Sequence, residues 1–219
     1  MLESLFTAFL LDPAAQQDPA LAKPPVAEAR PSWEFALSAF YVDPPGSDQH
    51  VTTVLYADRG PLHLEGRYGY EDLDTASVFV GWTFEAGEEL HAAITPMVGG
   101  VFGDTNGVAP GLLVDAGWRK LSFYTEAEYL FDSDDSDDDY FYSWSTLMWR
   151  FGPAFSAGVV TERSRIVDTD LELQRGLALQ ITPGPVGFAI YAYNPFSDDA
   201  YYTLSMDVTV PGTTPTHSP

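Results

Sequence analysis

Charged side chains in this chain recur two residues apart, and that spacing places them on one face of a β-strand. His63, Glu65 and Arg67 form one such set, and Glu126 and Glu128 form another. Asp115 and Asp207 stand singly on comparable faces. If the strands close on themselves with these faces inward, they line a lumen. The full set of inward candidates is Glu34, His63, Glu65, Arg67, Thr83, Thr95, Asp115, Glu126, Glu128, Glu172, Gln174, Gln180, Thr203, Ser205 and Asp207. Acids outnumber bases among them. A conducting lumen of this kind is expected to prefer cations, because rings of Asp and Glu do so in pores. Glu65, Arg67, Asp115, Glu126, Glu128 and Asp207 would set that selectivity. The opposing expectation is a plugged interior, in which Glu65, Arg67 and their neighbours form a hydrogen-bonded network that only stabilises the fold.

The stretch Asp132-Ser-Asp-Asp-Ser-Asp-Asp-Asp139 suggests a second chemistry. Its carboxylates, Asp132, Asp134, Asp135, Asp137, Asp138 and Asp139, are oxygen ligands of the kind a hard cation takes, so a weak Ca²⁺ site is one expectation. The spacing is not that of an EF-hand, since the central Gly and terminal Glu are missing. A solvated, self-repelling loop is the plainer reading, and cation bridging to anionic headgroups lies between the two. No catalytic residues are expected. The histidines His50, His63, His91 and His217 stand in no recognisable Ser, His and acid arrangement. Glu126 and Glu128 are ordinary spacing for a lined face as much as for acid–base work. The chain is read as not an enzyme, with no cofactor beyond that weak Ca²⁺.

Composition narrows the classes. A net charge of −22, with only ten Lys and Arg, excludes nucleic acid as a partner. Aromatic residues make up 14% of the chain, which argues against disorder. There is no cysteine, so disulfides, thiolate chemistry and Cys-ligated metals are excluded. No run of 18 apolar residues exists, so a membrane-spanning version could only be a closed barrel. The 219 residues suit one domain.

Residues 1–31 stand apart. The apolar run Leu5–Leu11 followed by Pro13, Ala14, Ala15 and Gln16 resembles the remains of a secretory signal, although Glu3 precedes it and no base does. Gln16–Pro31 reads as a Pro/Ala-rich linker, residues 32–210 as the β domain, and 211–219 as a disordered tail. Alternation dominates between them. Trp33, Phe35, Leu37, Ala39 and Tyr41 share a face, and so do Leu121, Phe123, Ala127, Tyr129 and Phe131, opposite Ser122, Tyr124, Glu126 and Glu128. Tyr202, Leu204, Met206, Val208 and Val210 oppose Thr203, Ser205, Asp207 and Thr209. Stretches near Val51–Ala57, Tyr140–Phe151 and Phe155–Ile166 alternate less cleanly. Pro96 and Pro110 suggest strand ends or a bulge near a rim.

From Trp33 to Val210 the pattern predicts twelve strands and eleven connections. Odd-numbered connections are acidic and mostly longer: Asp43–Gln49, Glu71–Asp74, Gly103–Gly107, Asp132–Asp139, Asp168–Asp170 and Pro195–Asp199. Even-numbered ones are tight: Asp58–Pro61, Ala86–Glu89, Arg119–Lys120, Gly152–Pro153 and Pro183–Pro185. The odd set holds sixteen of the 32 acids and no Lys or Arg. In an up-and-down meander the two sets lie at opposite ends, the build of a transmembrane barrel with long outer loops and short periplasmic turns. Aromatics collect beside both sets of connections, as two interfacial belts would. Arg175 breaks the outward apolar face of its strand, but near Asp170, where it would stand above the lipid. A soluble barrel holding an apolar ligand is the inside-out alternative.

On these residues the chain resembles a Gram-negative-type outer-membrane β-barrel across roughly Trp33 to Val210. Thr95-Pro-Met-Val-Gly-Gly-Val-Phe-Gly-Asp-Thr-Asn-Gly-Val-Ala-Pro-Gly111 and Leu171-Glu-Leu-Gln-Arg-Gly176 are similar to small envelope barrels of uncharacterised families. The resemblance implies an all-β, single antiparallel transmembrane barrel in an outer membrane, and no particular activity. Such barrels usually end on an aromatic residue; here the last strand ends Asp207-Val-Thr-Val210 and nine residues follow. The resulting expectation is a monomeric, porin-like passive channel for small solutes, with membrane lipid as its surroundings. A closed structural or adhesive envelope barrel acting through its acidic loops is the second reading.

Overall fold

The computed structural model describes residues 32–44, 48–166 and 172–211. The signal remnant, the linker, residues 212–219 and the Asp168–Asp170 connection lie outside the described residues. Period-two patterning produces thirteen antiparallel strands: β1 (Glu34–Asp43), β2 (His50–Arg59), β3 (Leu62–Tyr68), β4 (Thr75–Trp82), β5 (Phe84–Ala86), β6 (Leu90–Gly103), β7 (Gly107–Trp118), β8 (Leu121–Asp132), β9 (Tyr140–Arg150), β10 (Phe155–Ile166), β11 (Glu172–Ile181), β12 (Val186–Tyr193) and β13 (Tyr201–Pro211). β13 returns to pair with β1, Glu34 opposite Pro211 and Asp43 opposite Tyr202, which closes the sheet into a ring with no free edge. β4 and β5 lie end to end against β6 and form one stave, so the closed barrel has twelve.

The interruption between β4 and β5 has a local cause. Thr83 donates its N–H to the Pro61 carbonyl at 2.8 Å, on the β3 side. Its neighbour Trp82 therefore turns its backbone groups toward β6. The register there, Gly81 opposite Met97 and Phe84 opposite Ile94, sets Pro96 against Trp82. Proline has no N–H to give, so the ladder lapses. Pro110 does the same to β7 and β8, whose pairing stops after Val108 and Phe131 and resumes at Gly111 and Glu128. Neither proline ends a strand or makes a bulge, contrary to the sequence expectation, because the register resumes unchanged on both sides. Both face outward, where a missing donor disturbs no packing. Pro110→Val is expected to restore one ladder bond and stabilise the barrel by about 0.5–1.5 kcal/mol. The shift of the urea midpoint in lipid vesicles measures it.

The two faces differ as a membrane requires. On β4 the outward Val78, Val80 and Trp82 are 63%, 49% and 51% exposed, while the inward Ser77 and Phe79 are 1% and 0%. The same holds for Phe35 and Leu37 on β1, Leu177, Leu179 and Ile181 on β11, and Leu204 and Met206 on β13, all exposed. A continuous band of exposed large apolar side chains is incompatible with water on that side.

The interior is not the uniformly polar lumen that alternation implies. Phe79, Met97, Val101, Ala109, Leu113 and Leu130 form one buried apolar cluster inside the wall. Met148, Val160, Ala178, Ala189, Tyr191, Tyr193 and Tyr201 form another. A ring this wide leaves space that inward bulk fills.

Candidate functional site

β3 turns His63, Glu65 and Arg67 into the lumen at successive inward positions, all of them buried. At its end Gly69 takes a left-handed φ of +64° and donates its N–H to the Thr75 carbonyl at 2.9 Å. A side chain at that angle is strained, so glycine suits the turn. The turn brings Glu71 back toward Arg67. β8 supplies Glu126 and Glu128 from across the interior, also buried.

These groups converge on one guanidinium. Arg67 Nε donates to Glu65 Oε2 at 2.7 Å, and Nη2 meets the same oxygen at 2.7 Å. Nη1 donates to Glu128 Oε2 at 2.8 Å and lies 3.6 Å from Glu71 Oε1. Glu71 Oε1 also accepts from Ser77 Oγ, while its Oε2 is buried with no hydrogen-bond partner. The guanidinium lies over the Phe79 ring at 4.2 Å and the Tyr70 ring at 4.6 Å. Phe79 in turn covers Gly99: a Cβ there would fall 2.5 Å from the ring. Gly99→Val should therefore push Phe79 off the arginine. The expected cost is about 1–3 kcal/mol, the usual size of an overpacking penalty, read from the urea midpoint.

The relay continues toward the tight-turn end. Glu65 Oε1 lies 2.7 Å from His63 Nε2, and His63 Nδ1 lies 2.7 Å from Asp58 Oδ1. A carboxylate on each ring nitrogen suits the doubly protonated imidazole. Around the ring β3 and β8 are separated by β4, β6 and β7. The Arg67–Glu128 bond is thus a chord across the lumen. On one side of it lies the Phe79–Leu130 cluster. On the other, aromatic side chains predominate: Trp144 packs edge-on against Tyr124 and Tyr191 and donates to Tyr193 Oη at 2.8 Å, and Tyr193 stacks on Tyr201. Glu126 faces that side and accepts from Tyr124 at 3.1 Å.

No protein-family model matches the chain, and no curated protein does. Among solved structures it is similar to the KdgM porin, at a TM-score of 0.56 and 12% identity over 80% of this chain and 98% of that one. It is similar also to the KdgM porin in complex with disordered oligogalacturonate, at a TM-score of 0.54, 12% identity and the same coverage. The fold is that of an outer-membrane β-barrel. The outer-membrane protein OpdK of Pseudomonas aeruginosa also matches, at a TM-score of 0.45 and 12% identity over 83% of this chain and 67% of that one.

The barrel gathers four of the six residues expected to set selectivity. Glu65, Arg67 and Glu128 are bonded together, with Glu126 beside them. Asp115 faces inward from β7 but makes no hydrogen bond to this group among the described residues. Asp207 faces inward from β13 and accepts from Ser38 Oγ at 2.6 Å and Ser205 Oγ at 3.4 Å. Sequence reading missed Glu71, which it placed in an acidic connection, Asp58, which it placed in a tight turn, and the inward aromatics Tyr56, Tyr142, Trp144, Tyr191 and Tyr193. The signal for Tyr142 and Trp144, two residues apart, was present.

The acidic stretch at the loop end of the barrel organises itself. Asp132 Oδ1 accepts from the backbone N–H groups of Asp134 (2.7 Å) and Asp135 (3.0 Å), and Asp139 Oδ1 accepts from that of Asp132 (2.7 Å). Asp135 caps a single 3₁₀ turn, Ser136–Asp138, by accepting from the Asp137 N–H. Asp134 Oδ2 accepts from Asn106 on the neighbouring loop. Among the described residues no group of three or more His, Asp or Glu is arranged to hold a metal ion.

Proposed function

We propose that this barrel is a small passive channel in the outer membrane of a Gram-negative-type envelope, working as a monomer and favouring cations. The observation that carries the reading is the acid excess around Arg67: Glu65, Glu71 and Glu128 contact one guanidinium, with Glu126 beside them. The acidic loops add to it by raising the local concentration of cations at the outer mouth. The chord and the Phe79–Leu130 cluster fill one side of the lumen and the Met148–Tyr201 cluster lines another, so a permeating solute passes between them, along Tyr56, Tyr124 and Tyr142. A narrow passage of that kind suits small solutes. The oligogalacturonate held by the KdgM porin is a polyanion, and carboxylates in this number would repel it, so that cargo is not carried over.

Planar-bilayer conductance of the refolded chain under a KCl gradient tests the proposal. Discrete channels with a cation-selective reversal potential are expected. The double variant Glu126→Gln/Glu128→Gln should move the reversal potential toward zero. An unchanged potential would remove these two residues from the selectivity assignment. Folding into bilayers with no conductance would favour the closed structural barrel. The exposed apolar band already weighs against the soluble, ligand-binding alternative.

A further inference from the structure

The arginines on the outer wall carry an inference independent of the lumen. Among the described residues, Arg59, Arg119, Lys120 and Arg150 lie at the tight-turn end, and Arg67 lies inside. The three remaining bases, Arg163, Arg165 and Arg175, are all at the loop end, all exposed, and all on the adjacent strands β10 and β11. Their facing follows from the register. Arg163 is opposite Leu173 and Thr161 is opposite Arg175, so Arg163 and Arg175 are diagonal neighbours on one face. It is the outward face, because Val159 and Leu177 share it at 48% and 50% exposure. Diagonal neighbours stand about 7–8 Å apart. Arg165 follows two residues along β10, on the same side.

Elsewhere on the ring the outward residues closest to this end are of another kind. They include Tyr41 on β1, Tyr68 on β3, Phe102 on β6, Phe131 on β8 and Tyr202 on β13, all exposed. Over β10 and β11 the aromatic belt gives way to guanidinium groups. Arg163 and Arg175 make no ion pair or side-chain hydrogen bond with another described residue. A cation in that position borders hydrocarbon below and headgroups above, and its favourable partner is a headgroup anion. Guanidinium binds phosphate oxygens in a bidentate fork, which a lysine cannot copy.

We propose that Arg163 and Arg175 form a binding site for a phosphate-bearing lipid headgroup of the outer leaflet. The diagonal pair holds one phosphate between two guanidinium groups. In a chain of net charge −22, Arg163, Arg165 and Arg175 are the exposed Lys and Arg residues at the loop end among the described residues.

The test is native mass spectrometry of the full chain, refolded in detergent, with phosphatidylglycerol or the phosphate-free lipid diacylglycerol added at equal concentration. Wild type should retain phosphatidylglycerol at least tenfold better than Arg163→Gln/Arg175→Gln. Arg163→Lys/Arg175→Lys should fall between them. Arg119→Gln/Lys120→Gln, at the other end, should match wild type. Heat-modifiable migration on gels checks that each variant folds. Retention of phosphatidylglycerol unchanged in the folded Gln variant would overturn the site. So would equal retention of both lipids by wild type, which would mean a general acyl-chain affinity.

Discussion

Arg67→Met should destabilise the folded barrel by about 3–5 kcal/mol, the range seen when one partner of a buried ion pair is deleted. Arg67 is 5% exposed and is the one cation among the described residues that contacts all three of Glu65, Glu71 and Glu128. Methionine keeps most of the packing against Phe79 and Tyr70 and removes the charge, leaving three carboxylates facing one another in a space with little water. Urea unfolding in lipid vesicles reads the loss. Glu65→Gln/Glu128→Gln in the Arg67→Met background should recover most of it, because a buried network replaced at all its members costs far less than one broken at a single member. Strict additivity of the three changes would mean that the groups do not act together. The chord has a second readout. With its bond to Arg67 gone, Glu128 no longer closes the lumen toward β3, so single-channel conductance should rise in the same variant.

The closed barrel was legible in the sequence because water and lipid ask for opposite side chains. Where an inward polar face met an outward apolar one, as with Glu126 and Glu128 against Phe123 and Phe131 on β8, period two gave both strand and facing. It was weak on β2, β9 and β10 for a physical reason. Their inward positions hold Val54, Tyr56, Tyr140, Tyr142, Trp144, Met148 and Val160, which fill the wide interior and are as apolar as the outward ones. Two apolar faces leave no alternation to read. The inward set of charges was visible one strand at a time, but its assembly was not. That Arg67 meets Glu128 depends on which staves face each other across the ring, and that Phe79 covers Gly99 depends on register. Glu71 reaches the interior only because Gly69 turns the chain back, so a residue three positions beyond the strand behaves as part of its face. Asp115 and Asp207 carried the same pattern signal as Glu126, yet neither is ion-paired with Arg67 among the described residues: Asp115 has His91 near it on the neighbouring strand, and Asp207 is held by Ser38 and Ser205.

The facing of the barrel is open to a sharper test than sequence pattern offers. Leu177 lies near the middle of β11, 50% exposed, opposite Val159 on β10 and Ala192 on β12. Leu177→Arg puts a guanidinium in the hydrocarbon band, one outward position deeper than Arg175. About 2–4 kcal/mol of destabilisation in vesicles is expected at such a depth. Gln180→Arg, three residues along the same strand, is the matched control. Gln180 points inward and is half-buried beside Ala189 and Ser156 in the register, so a charge there meets water and the lumen's acids. Its effect on the unfolding midpoint should stay within about 0.5 kcal/mol, as for ordinary substitutions away from packed or paired sites. The same change should weaken cation preference in the conductance experiment. The opposite ranking, with Leu177→Arg tolerated and Gln180→Arg disruptive, would put water on the outside of the wall. The apolar band from Phe35 to Met206 would then need a protein partner to cover it.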